Sequence, residues 1–163
     1  MKRLVRVLMM IACAVSSWFT STAFASGPAS GPASGPAQDA KPAASRTVWD
    51  GVYTEEQAKR GGPMYSEQCA SCHGPELMGG EMAPPLATGD FLAGWDGLTI
   101  GDLFERIRIS MPQNNPGSLS GQQNADILAF ILSANKFPAG QTELSNQGMA
   151  LKDIKFEAKK PGE

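Results

Sequence analysis

The five residues Cys69-Ala70-Ser71-Cys72-His73 constrain this chain more than any other stretch. Two thiols three positions apart, followed at once by an imidazole, have the spacing that closes two thioether bonds to one haem while the histidine reaches the iron. The fold must then form around a large planar group that is bonded to two cysteine side chains. The motif therefore predicts one covalently bound haem c, held by Cys69 and Cys72, with His73 as an iron ligand.

Other chemistries use the same cysteine spacing. A thioredoxin-like redox couple, a local disulfide and half of a zinc site all contain two cysteines three positions apart. Zinc is disfavoured because His73 is the only histidine and Cys13 the only other cysteine, so four good ligands cannot be assembled. A redox couple needs a βαβ setting, which the flanking sequence does not provide.

The N-terminus has the form of an export signal. Met1-Lys2-Arg3 is positively charged, the stretch 4–15 is mostly apolar, and Ala23-Phe24-Ala25 has the small-x-small form that signal peptidase reads. We expect residues 1–25 to be cleaved after Ala25, which places the mature protein in the periplasm. A retained anchor is the alternative, although the apolar run is shorter than the ~20 residues that span a bilayer. Lipid attachment at Cys13 is a second alternative.

The mature chain is acidic. Removal of Lys2, Arg3 and Arg6 leaves 11 of the 14 basic residues against 16 acidic ones, a net charge of −5. Nucleic acid is not an expected partner, because phosphates require a basic face. Export also agrees with the haem motif, since thioether formation requires reduced cysteines delivered outside the cytoplasm.

Residues 26–47 have the composition of a linker. Ser26-Gly27-Pro28-Ala29 is repeated twice more in sequence, and no large apolar side chain follows until Val48. Such a segment cannot bury enough surface to offset its ordering entropy, so we expect a disordered, semi-extended spacer. It is either a low-complexity tail without a function or a tether that lets the folded part extend from a membrane or a partner.

The first helix is expected to start at Thr54 and to break at Pro63. Thr54-Glu55-Glu56-Gln57 has the form of a capping box, in which both Thr54 and Gln57 satisfy free amides. Ala58, Gly61, Tyr65 and Cys69 then recur at helical spacing. Because Pro63 lacks an N–H and its ring clashes with the preceding turn, the helix should kink or restart there.

The stretch after His73 is expected to be an irregular loop beneath this histidine. Residues 74–86 are too rich in glycine and proline for a helix or a strand. Histidines that bind metal usually donate their second ring proton to a carbonyl, which fixes the tautomer. The carbonyl of Pro84 is our candidate acceptor.

A second iron ligand is predicted at the end of the next helix. Thr99 and Asp102 mark its start, and residues 100, 103, 104 and 107 form one apolar face that Met111 extends. Met111 can be read as a core residue or as the sixth ligand of the iron. The second reading is favoured because Met78 and Met82 follow His73 too closely to cross to the opposite face, whereas Met111 lies 38 residues further on, before a stiff loop.

The last helix is expected to begin at Ser120 and to cross the first. Ser120-Gly121-Gln122-Gln123 is another capping box. The crossing should lie near Gly61 and Tyr65, where missing side-chain volume allows close approach. In this arrangement Leu128 and Leu132 should face the haem edge.

With these residues in place, the range 54–137 resembles class I c-type cytochromes. The resemblance implies a small all-α globule of three to four helices around one haem, with a cytochrome c domain at 48–138. It implies thioether bonds at Cys69 and Cys72 and iron ligation by His73 and Met111.

The chain further resembles small cytochromes associated with bacterial periplasmic and quinoprotein dehydrogenases. Trp95 and the run 103–112, ending in Met111-Pro112, carry this likeness, and Trp95 is thereby implied near the cofactor. A tail like 144–156 also recurs there, so residues 139–163 are expected to pack on the domain or to be partly disordered. The dipeptide Gly62-Pro63 differs from the helical sequence that these cytochromes usually have in their first helix.

The resemblance implies an electron carrier rather than an enzyme. We expect a monohaem protein that cycles between Fe(III) and Fe(II), from a dehydrogenase to the respiratory chain, with a partner whose docking face is basic. Two alternatives stay open: a gas-binding or peroxidatic haem protein with a displaceable sixth ligand, and a tethered subunit of a larger dehydrogenase or oxidase. Membrane association is expected only through an uncleaved signal or a partner.

Overall fold

The computed structural model describes residues 46–87 and 89–162. This part is mostly helical, which confirms the all-α class, but it contains five helices rather than three to four. No helix within these ranges is long and apolar enough to cross a membrane. The predicted signal peptide, and the predicted linker up to residue 45, lie outside the described residues. The elements in chain order are β1 (Arg46–Thr47), α1 (Glu55–Gln68), α2 (Ala70–His73), α3 (Gly89–Trp95), α4 (Ile100–Ser110), α5 (Gly121–Ala134), a 3-10 turn (Gly148–Leu151) and β2 (Ile154–Lys155).

Helix α1 runs through Pro63 without interruption, so the predicted break at this residue is wrong. Pro63 is exposed, as is Lys59 one turn earlier, so water can satisfy the carbonyl of Lys59 that loses its partner. The helical path breaks six residues later instead. Cys69, with φ −124° and ψ −34°, separates α1 from α2.

The start of α1 contains only one of the two hydrogen bonds of the predicted capping box. The Thr54 hydroxyl accepts a hydrogen bond from the Gln57 amide at 3.1 Å, as expected. The Gln57 side chain does not fold back to Thr54. It is fully buried and pairs with the backbone of Leu144, donating to the carbonyl at 3.0 Å and accepting from the amide at 2.7 Å. A long-range partner has replaced the local one.

The caps of α4 and α5 agree with the sequence. Thr99 and Asp102 form a reciprocal capping box at α4, and Ser120 and Gln123 form one at α5. The predicted apolar face of α4 is buried. These helices were predictable because capping depends on residues only three positions apart.

Helices α1 and α5 cross at Gly61, as predicted. A Cβ at this position would overlap the carbonyl oxygen of Asp126 on α5. One turn further along, the rings of Tyr65 and Phe130 lie 5.3 Å apart. The missing side chain at Gly61 therefore lets two backbones touch, and this contact forms the centre of the core.

The C-terminal residues pack over the helices. Leu144, Leu151, Ile154 and Phe156 are all buried. Strand β2 pairs in parallel with β1, with Arg46 opposite Ile154. The amide of Phe156 also donates to the carbonyl of Leu98 at 2.9 Å, beside the end of α3. The tail thus joins the start of the described chain to the turn between α3 and α4.

Candidate haem site

The Cys69–His73 motif lies in a single helical turn. The amide of His73 donates to the carbonyl of Cys69 at 3.0 Å, which brings both cysteines and the imidazole to one side of the turn. The Tyr65 hydroxyl donates to the carbonyl of Gly74 at 2.7 Å and ties the end of this turn back to α1. Burial raises the pKa of Tyr65 to about 12, with a smaller contribution from Cys69.

The two cysteines lie in different environments. Cys72 is exposed and Cys69 is partly buried. Burial, with a smaller contribution from Cys72, raises the pKa of Cys69 to about 11. An attacking thiol of a redox couple requires the opposite shift, because the thiolate is the reactive form. The environment of Cys69 is therefore unsuited to thioredoxin-like chemistry.

His73 is buried and is held by one hydrogen bond. Its Nδ1 lies 2.8 Å from the carbonyl oxygen of Pro84. Because a carbonyl oxygen only accepts, Nδ1 carries the proton and donates it. The other ring nitrogen, Nε2, then has a free lone pair, which is the form of histidine that binds a metal.

The loop that carries Pro84 is fixed by its own backbone. Gly79 has a φ of 74°, and a Cβ there would lie 2.6 Å from the nitrogen of Pro85. Its amide donates to the carbonyl of His73 at 2.8 Å. At the far end of the loop, the Asn135 side chain donates to the carbonyl of Leu86 at 2.8 Å. Only glycine fits at position 79, and this fit brings the Pro84 carbonyl to the imidazole.

Met111 directly follows the last residue of α4 and lines the same cavity as His73. Its amide donates to the carbonyl of Ile107 at 2.9 Å, and its side chain is partly buried. Leu103 and Ile107 precede it on the same helix at intervals of four residues, and all three face one cavity. The helical period therefore places a thioether beside an apolar wall.

The six residues selected from the sequence all line this cavity, which has a volume of about 940 Å³. They are Cys69, Cys72, His73, Pro84, Trp95 and Met111. The volume lies near the upper end of the range for small-molecule and cofactor sites. Sequence reasoning missed a set of polar lining residues: Gln68, Asp90, Arg106, Gln113 and Asn114. Arg106 could have been found, because it lies one turn beyond Leu103 on α4.

The orientation predicted for the last helix is wrong. Ile127 and Ile131 line the cavity, whereas Leu128 and Leu132 are buried but do not line it. Helix α5 is buried on most of its faces, from Asn124 to Ala129 and again at Ile131 and Leu132. Apolar residues therefore occur on several faces of α5. Hydrophobicity alone could not show which face lines the cavity.

The lining fits a haem. A porphyrin is a flat apolar ring with two carboxylates at one edge, and the walls from Phe91, Leu103, Ile107, Ile127 and Ile131 are apolar. Arg106 is the only cationic residue among those lining the cavity, and a carboxylate near an apolar wall needs such a partner. The cavity thus offers apolar side chains for the porphyrin ring and one cation for its carboxylates.

Comparison with protein families gives one match. Residues 56–131 match the family model described as cytochrome c oxidase, cbb3-type, subunit III, a range somewhat under half of the chain. The range contains the Cys69–His73 motif and Met111. Comparisons with curated proteins and with solved structures found no match.

The family match supports a c-type cytochrome. Its cofactor is covalently bound haem c, and Cys69 and Cys72 have the spacing of the attachment cysteines. The chemistry of such a domain is haem-based electron transfer, either as a carrier or as part of an oxidase.

Proposed function

We propose that this c-type cytochrome is an exported monohaem electron carrier whose iron is ligated by His73 and Met111. The observation that carries the proposal is the cavity that both side chains line, one from the turn of α2 and one from the end of α4. With two protein ligands the iron has no open position, so no substrate coordinates and the protein transfers electrons only.

The hydrogen bond between His73 and Pro84 supports the first ligand. It fixes the ring orientation and the tautomer, which leaves the lone pair of Nε2 free to bind the iron. Met111 is supported by its position at the end of an apolar wall. A thioether is a soft ligand that stabilises ferrous iron and so raises the reduction potential.

When bound, the haem supplies an iron that alternates between Fe(III) and Fe(II). The chain holds both ligands in place through the caps of α4 and the rigid loop at Gly79, so a one-electron change requires little rearrangement. The apolar residues Leu103, Ile107 and Ile131 exclude water from the site. Arg106 would pair with a carboxylate at the edge of the group.

The setting that we propose for this carrier is the periplasm, after cleavage at Ala25. The donor would be a dehydrogenase and the acceptor a cytochrome or oxidase of the respiratory chain. The likeness of Trp95 and residues 103–112 to cytochromes of periplasmic dehydrogenases supports this choice. The intact mass of the exported protein, with a pyridine haemochrome spectrum, tests cleavage and haem attachment together.

A second candidate is a subunit of a larger complex, because the matching family is described as an oxidase subunit. The redox chemistry would be the same, but the protein would not diffuse freely. Purification in mild detergent separates the two candidates. Co-purification of an enzyme supports the subunit, whereas a free cytochrome in the periplasmic fraction supports the carrier.

Replacement of Met111 tests the ligation. The Met111→Ala variant should lose the sulfur-to-iron charge-transfer absorption of the oxidised protein and should gain carbon monoxide binding in the reduced form. Met149→Ala is the matched control, since this methionine is 77% exposed on the tail and should leave the spectrum unchanged. An unchanged spectrum in Met111→Ala would contradict the assignment. Carbon monoxide binding by the untreated ferrous protein would favour a gas-binding role.

A further inference from the structure

Charge is distributed unevenly along this chain. Between Gly61 and Glu105 there is no lysine or arginine, while seven residues are acidic. This range contains the haem motif and the loop beneath His73. By contrast, the tail residues 152–160 contain four lysines. The segment that contains the haem motif is therefore acidic, whereas the tail contains a cluster of lysines.

Within this acidic range, one short loop combines charge with exposed apolar surface. Glu76 and Glu81 are exposed, and the methionines beside them, Met78 and Met82, are 60% and 76% exposed. Met82 also lines the haem cavity, so the loop stands at its mouth. We call residues 76–82 the acidic methionine loop.

The carboxylates of this loop are available to a partner. Neither Glu76 nor Glu81 takes part in an ion pair within the residues that the structure describes. The nearby cation in the cavity wall, Arg106, belongs to α4 and not to the loop. The charges of the loop itself are thus two exposed carboxylates beside two exposed methionines.

The chemistry of the loop selects one class of occupant. Methionine side chains are flexible and polarizable, and they adapt to partner surfaces of different shape. A second copy of this chain would bring carboxylates against carboxylates, and an anionic lipid surface would be repelled in the same way. A protein face with an apolar centre and a rim of lysines or arginines satisfies both features.

We propose that the acidic methionine loop is the surface on which such a basic redox protein docks. Glu76 and Glu81 would steer the partner, and Met78 and Met82 would form the dry contact beside the cavity mouth. This inference rests on the proposed electron-carrier function and adds to it the place of contact on this chain.

Charge reversal tests the steering. The variant Glu76→Lys/Glu81→Lys is compared with Glu56→Lys/Asp153→Lys, which changes the net charge equally at exposed positions on the start of α1 and on the tail. Two small probes are used at low ionic strength. Hexaammineruthenium(II) is a cation that reduces the ferric protein, and hexacyanoferrate(III) is an anion that oxidises the ferrous protein.

The loop variant should react about tenfold more slowly with the ruthenium cation and faster with the hexacyanoferrate anion, because a local field changes rates on this scale. The control variant should change both rates much less. Equal changes in the two variants would overturn the proposal, since only net charge would then matter. If the wild-type protein is not reversibly oxidised and reduced, the carrier function itself fails, and this result is visible before any variant is compared.

A second measurement tests the methionines. The probe is a lysine-rich amphipathic peptide that carries a ruthenium complex, and the second-order rate of electron transfer is measured. Met78→Ser should lower this rate by about threefold or more, because apolar contact area is lost. Met149→Ser, on the tail, is the control. Equal rates for the two serine variants would show that no apolar contact forms at the loop.

Discussion

The contact between α1 and α5 at Gly61 makes a sharp stability prediction. In Gly61→Ala the new Cβ would overlap the carbonyl oxygen of Asp126, lie 2.5 Å from the carbonyl carbon of that residue and lie 3.0 Å from the Cβ of Phe130. All three obstacles belong to the α5 backbone or to the first carbon of a side chain. None of them can rotate away, so the two helices must move apart.

The size of the effect follows from this geometry. Carbon atoms in ordinary contact lie about 3.5–4.0 Å apart, so the helices must separate by about 1 Å along the core. Overpacking typically costs about 1–3 kcal/mol and occasionally more, and backbone obstacles put this site at the upper end. Alanine recovers about 1 kcal/mol of helix propensity. We expect a net loss of about 2 kcal/mol.

Gly62 is the matched control one residue away. A Cβ there would lie 3.5 Å from two ring atoms of Phe130, which is ordinary contact. Gly62→Ala should therefore change the free energy of unfolding by no more than about 1 kcal/mol, because the gain in helix propensity is offset by the clash of the new Cβ with the ring of Pro63. Guanidinium unfolding of the haem-loaded protein measures both variants. For a domain of this size the loss in Gly61→Ala corresponds to a melting temperature lower by roughly 10 °C.

Equal stabilities for the two alanine variants would refute this reasoning. A loss in Gly62→Ala as large as that in Gly61→Ala would mean that alanine disrupts α1 for a reason other than the helix contact. A lower stability with an unchanged haem spectrum is the expected result for Gly61→Ala, because the contact lies in the core and not at the iron.

Three further predictions test the tail and the caps. Phe156→Ala should cost about 3–5 kcal/mol, because this fully buried ring packs in an aromatic cluster; thermal unfolding measures it. Gln57→Ala removes both hydrogen bonds to the Leu144 backbone and should cost about 2–4 kcal/mol, with faster amide exchange along the tail. Hydrogen bonds from Thr99 lower the pKa of Asp102, so its contribution to stability is present above about pH 4 and is lost as the pH falls through the lowered pKa. Asp102→Asn should therefore lose less stability than the wild type between pH 4 and pH 2; an equal loss would contradict the cap.

Features that depend on near neighbours in the sequence were predictable. The caps at Thr99 and Ser120 and the apolar face of α4 all follow from residues three or four positions apart. The same holds for the cysteine motif, whose chemistry is complete within one turn. The candidate site was also assembled in large part from the sequence, since each selected residue lines the cavity.

Features that depend on competition between distant partners could not be predicted from the sequence. Gln57 had a local partner in Thr54, but the buried backbone of Leu144 required a hydrogen bond more strongly. Helix α5 has isoleucines and leucines side by side, and only its packing selected Ile127 and Ile131 for the cavity. Pro63 breaks isolated helices, yet here its ring faces water and the rest of α1 is held against α5.

The sequence alone determined the cofactor chemistry of this protein, because two thiols and an imidazole at fixed spacing act as one unit whatever surrounds them. The tertiary structure decided what encloses that unit. It placed Pro84 against His73 through a backbone that only glycine at position 79 allows, and it brought Arg106 and Met111 to the same cavity from another helix. Such contacts join residues that are distant in sequence, and they exist only once the helices have packed.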